Sequence, residues 1–91
     1  MGRIENRLFR LADEVAALVT ERDQVAAELA YHRHIADDAA RDAAVSGAGS
    51  DRLEAAACSK DVRRFERRLL EIERRLGKLD ARRTALLAKL G

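Results

Sequence analysis

Apolar positions along this chain recur at steps that alternate between four and three residues. In the first half the stripe runs Ile4, Leu8, Leu11, Val15, Leu18, Arg22, Val25, Leu29, His32, Ala36, Ala39 and Ala43. In the second half it runs Ala55, Cys58, Val62, Phe65, Leu69, Ile72, Leu76, Leu79, Arg83, Leu86 and Leu90. Such spacing is the heptad of a coiled coil, with a and d facing a partner helix. The one strong breaker between the two stripes is Gly47-Ala48-Gly49. The pattern predicts an all-α fold, an antiparallel two-helix coiled-coil hairpin forming a single unit over 1–91. Helix 1 is expected over 3–45, the turn over 46–50 and helix 2 over 51–90. Each helix would be about 40 residues, or roughly 60 Å, long. Gly47 suits the left-handed cap of the first helix. Ser50 or Asp51 can cap the second, and Asp51-x-x-Glu54 resembles a capping box.

Composition narrows the fold further. The 91 residues include no Pro, no Trp, one Tyr, two Phe and one Cys, and 37% are charged. A chain so poor in aromatic and β-branched residues does not suit barrels, sandwiches or doubly wound sheets. Net charge is +2, but residues 1–45 carry six Lys/Arg against nine Asp/Glu, and residues 46–91 carry twelve against seven. With Leu8 and Leu69 at a, helix 1 places Glu14, Glu21, Glu28 and Asp42 at g. Helix 2 places Arg68, Arg75, Arg82 and Lys89 at g. Antiparallel packing sets these acids against these bases, whereas parallel packing would set acid against acid at every heptad. The short connection also demands antiparallel neighbours. A register pairing Ile4 with Leu90, Leu18 with Leu76 and Leu29 with Phe65 would use the whole chain.

Two helices bury little area, and here the seam thins to alanine towards the turn. Helix 1 keeps spare apolar surface at b and e, in Phe9, Ala12, Ala16, Val19, Ala26 and Ala30. This stripe predicts a homodimer, making a four-helix bundle, or a partner helix seated on helix 1. The turn end offers polar side chains for interaction: Tyr31, His34, Asp37, Asp38, Arg41, Asp42, Asp51 and Arg52.

Few residues suggest chemistry. A lone Cys58 forms no internal disulfide, which fits a reducing cytoplasm, and no apolar run reaches the roughly 20 residues of a membrane span. His34 and Asp38 are one turn apart, but His32 points to the seam and His34 away, so no metal or other cofactor is expected. Cys58 sits among alanines as a small seam residue with no base placed to activate it. Arg22 and Arg83 at a positions are expected to pack their stems and extend their heads to neighbouring carboxylates. Lys60, Arg67 and Arg74 line up at f, a candidate phosphate stripe. Nucleic acid is not favoured as a partner, because acids are interleaved, no aromatic platform is present, and the g arginines are matched by helix 1.

Two family resemblances touch parts of the chain. A hairpin whose tip holds Asp37, Asp38, Asp42 and Asp51-Arg52 resembles the coiled-coil regulators that enter the secondary channel of bacterial RNA polymerase, the DksA/TraR type. The resemblance implies acidic tip residues acting beside a catalytic metal of the larger enzyme, although the four-cysteine zinc module of that family is absent. Glu21-Arg22 followed by Arg33, with Arg41-Asp42 beyond, is similar to the first helix of helical chorismate mutases. That likeness implies that Arg22 and Arg33 hold the substrate's carboxylates. The chain departs from that family at Glu5, where the family has an arginine, and at Val45-Ser46-Gly47, where a glutamate is expected. The residues together predict a non-enzymatic interaction, adaptor or regulatory module of a bacterial cytoplasmic assembly.

Overall fold

The computed structural model describes residues 2–91 and consists of two helices, α1 (Arg3–Ser46) and α2 (Gly49–Leu90), with no strand among the described residues. The helices pack on each other as a hairpin. Neither is long and apolar enough to cross a membrane.

The turn is shorter than the sequence suggests. Only Gly47 and Ala48 lie between the helices, because Gly47 takes a φ of +64°. That left-handed backbone costs an L side chain roughly 1–2 kcal/mol but costs glycine nothing comparable. Its N–H donates to the Ala43 carbonyl at 3.0 Å, closing α1. The cap of α2 also differs from expectation. Ala48 supplies the first helical carbonyl, accepting from Arg52 N–H at 3.1 Å, so Ser50 and Asp51 lie inside the helix. Ser46 does the bracing, since its Oγ accepts from Ala48 N–H at 3.1 Å and its hydroxyl donates to the Asp51 carboxylate. Asp51 remains in the first turn of α2, where a carboxylate favours the positive end of the helix dipole.

The chain divides into two compact units, one made of the described residues up to Asp23 with Leu70–Gly91, the other of Gln24–Leu69. In the first, Leu11, Leu18, Ile72, Leu79 and Leu86 are buried. Leu11 shares an open groove with Leu86, and Val19 and Arg22 share another with Leu76, so the chain directions oppose. In the second, Val25, 2% exposed, and Leu29 are buried. Beyond Leu29 the seam of this unit is half-buried, through His32, Ala36, Ala39 and Ala43 on α1 and Ala55, Cys58, Val62 and Phe65 on α2. Alanine and cysteine are too short to exclude water from a two-helix contact.

The register departs from the expected pairing by about one turn. Phe65 stacks on His32, with ring centroids 4.5 Å apart and planes at 23°, three residues on from the Leu29 expected opposite it. Leu90, expected opposite Ile4, is 46% exposed. Arg83, placed on the seam by the heptad, is also exposed. The observed offset sets the larger seam residues together, Phe65 with His32 and Leu11 with Leu86.

Candidate functional site

The apolar stripe on α1 is divided between the two units. In the first, Ala12, Val15, Ala16 and Val19 line an open groove of about 500 Å³ with Arg22, Leu76, Asp80 and Arg83. Alanines at 12 and 16 open this space because they carry no side chain beyond Cβ. Val15, Val19 and Leu76 make its floor. Phe9 stands outside the groove, 58% exposed. Arg22 is half-buried, and its guanidinium donates twice to Asp23 Oδ1, at 3.3 and 3.2 Å. Ala26 and Ala30 belong to the other unit, where both are exposed. Spacing alone reveals the stripe. It does not reveal the contributions of Leu76, Asp80 and Arg83, because they depend on register.

The tip residues lie in Gln24–Leu69. Tyr31 is 64% exposed and meets His32 edge-on, with centroids 5.6 Å apart. Asp38 accepts from Arg41, one turn on, and lies 3.5 Å from His34 Nε2. Asp38 and Asp42 come together with Asp51 and Glu54 in a groove of about 190 Å³ floored by Ile35 and Ala39. Asp37 instead faces a second groove, with Arg33, Ser59, Arg63 and Glu66. Arg52 is exposed and outside both. Glu54 is absent from the tip set expected from the sequence. Its heptad position shows the reason for its placement: one and two heptads before Arg68, the g positions of α2 hold Asp61 and Glu54. The acid-to-base matching at g therefore reverses near the turn, and Asp42 meets an acid.

At Glu14 and Arg82 the g positions bring opposite charges to one side of a groove, yet no ion pair joins them. The ion pairs of Asp23, Asp38 and Asp61 each link residues of one helix. Cys58 is a free, half-buried thiol. Among the described residues, no group of three or more His, Cys, Asp or Glu is placed to hold a metal ion. Arg22 and Arg33 each line a groove, one in each unit.

These features define an all-α helical hairpin with an apolar groove on one unit and polar grooves on the other. Comparison with known protein families, curated proteins and solved structures finds no match.

Proposed function

We propose that this protein is a non-enzymatic coiled-coil interaction module that associates with a second copy of itself through the outer face of α1. The observation that carries the reading is the open, mainly apolar groove that Ala12, Val15, Ala16, Val19 and Leu76 form among the described residues. Area supports the same conclusion. The chain exposes 6717 Å², whereas a folded monomer of 10.1 kDa exposes about 5,300 Å². A two-helix seam leaves such a surplus, about 1,400 Å² per chain, uncovered, and a second copy seated on α1 would remove part of it. Small residues let a second helix approach closely, and an α1 from another copy presents the same small residues in return, as a two-fold interface requires.

Light scattering tests the reading. A mass twice that of the chain is expected at micromolar concentration. Val19→Glu, which puts a charge into the groove, is expected to halve that mass while leaving the far-ultraviolet helical signal in place. A wild-type protein that stays monomeric throughout overturns the self-association, and an unchanged mass in Val19→Glu overturns the interface.

A further inference from the structure

The α2 helix sorts its charges by face. In the Gln24–Leu69 unit the half-buried seam at Val62, Phe65 and Leu69 leaves positions b, c and f turned outward. From residue 60 onward in that unit these positions are Lys60, Arg63, Arg64 and Arg67, all exposed, with no acid among them. The acids of the same stretch lie off this face. Asp61 is half-buried, and Glu66 lines the groove that holds Arg33 and Asp37, which Arg63 also borders. Among the described residues, Lys60, Arg63 and Arg67 have no ion-pair partner. Arg64 lies 3.6 Å from Asp61, both partly exposed, a weakly held pair, and its guanidinium sits 5.4 Å from the Phe65 ring centroid.

From this placement we infer that the outward face of α2 at Lys60, Arg63, Arg64 and Arg67 binds the phosphate backbone of duplex nucleic acid without regard to sequence, an activity beyond the interaction role proposed above. Four like charges within two helical turns repel one another, and the acids nearby, Asp61 against Arg64 and Asp37 and Glu66 in the groove that Arg63 borders, offset this only in part. Guanidinium groups pair bidentately with phosphate oxygens, so three arginines favour phosphate over a diffuse counterion layer. Lys60, Arg64 and Arg67 rise along one side of the helix over about 10 Å. A duplex offers about one phosphate charge per 1.7 Å of its axis, so several are in reach at once. Two absences on this face choose the partner. Between residues 60 and 67 the outward positions of α2 carry no aromatic side chain to stack on bases, since Phe65 lies on the seam against His32, and single strands are held largely by such stacking. None of the four outward positions is apolar, whereas a helix that lies in a bilayer surface buries an apolar face there.

Fluorescence anisotropy with a short labelled DNA duplex of random sequence tests the inference. Four phosphate contacts give a slope of log affinity against log salt of about −3.6, or roughly a hundredfold weakening between about 50 and 200 mM salt. Wild-type protein is expected to show that slope. The combined variant Lys60→Gln, Arg63→Gln, Arg64→Gln, Arg67→Gln is expected to lose at least about tenfold in affinity at low salt and most of the slope. A control with Arg3→Gln, Arg7→Gln, Arg10→Gln and Lys89→Gln removes the same net charge and is expected to keep most of the affinity. Circular dichroism verifies that both remain helical, and the wild-type slope stands without any variant. The inference is overturned by wild-type protein that shows no salt-dependent binding, by a control that loses as much as the α2 variant, or by binding to phosphatidylserine vesicles with none to the duplex.

Discussion

The rings of His32 and Phe65 lie stacked, 4.5 Å between centroids, and so tie α1 to α2 in the Gln24–Leu69 unit at a point where the rest of the seam is dwindling to alanine. Truncating Phe65 removes the largest seam side chain of that unit. Phe→Ala in a full core costs about 3–5 kcal/mol, and at this half-buried position about 2–3 kcal/mol is expected. Urea unfolding followed by circular dichroism measures it. His32→Leu keeps an apolar neighbour for Phe65 and is expected to leave the midpoint unchanged or to raise it.

Val25 and Val45 give a second contrast. Val25 is 2% exposed and Val45 is 90% exposed. Val25→Ala leaves a void on the seam and is expected to destabilise by about 2 kcal/mol. Val45→Ala is expected to shift stability by less than about 0.5 kcal/mol, because nothing packs on it. Equal shifts at the two sites would contradict the described seam.

Glycines at 47 and 77 are expected to respond in opposite directions. Gly47 holds a φ of +64°, so Gly47→Ala forces a strained backbone and is expected to cost about 1 kcal/mol or more. Gly77 lies inside α2, and a Cβ there would meet no atom within 4 Å. Gly77→Ala is therefore expected to stabilise by up to about 1 kcal/mol through helix propensity. Thermal melts of the two variants read the opposed signs directly.

Self-association through α1 makes stability depend on concentration, since a partner that binds only the folded state shifts the unfolding equilibrium by mass action. The melting temperature of wild-type protein is expected to rise with protein concentration, and that of Val19→Glu to stay flat. A flat wild-type profile across a hundredfold range of concentration would leave the groove uncovered by a second copy.

Most of the seam is legible in the residue spacing. Every described position of the α1 stripe from Ile4 to Ala43 is buried or half-buried, and on α2 only Arg83 and Leu90 of the expected stripe are exposed. Spacing reveals this much because the helix repeat maps residue number onto direction, whatever the partner. Arg83 departs because a charged head is drawn into water wherever the seam admits it. Leu90, 46% exposed, lies at the last position of α2. The glycines locate the turn correctly, but it is shorter than they suggest. Glycine composition shows where a chain can reverse, while the number of residues used depends on which carbonyls accept, and here Ala43 and Ala48 do.

By itself the sequence determined two helices, a reversal near Gly47, which face of each helix is apolar, and where charges gather along α2. All of these are local, following from the fixed rotation per residue and the backbone freedom of glycine. Tertiary structure decided the offset between the helices, since seam layers of similar spacing can pair at more than one register and only side-chain fit separates them. With the offset came the consequences that spacing could not supply: Phe65 lies against His32, Asp42 meets Glu54 across an acidic groove, and Leu76 completes the apolar groove over Ala12 and Ala16.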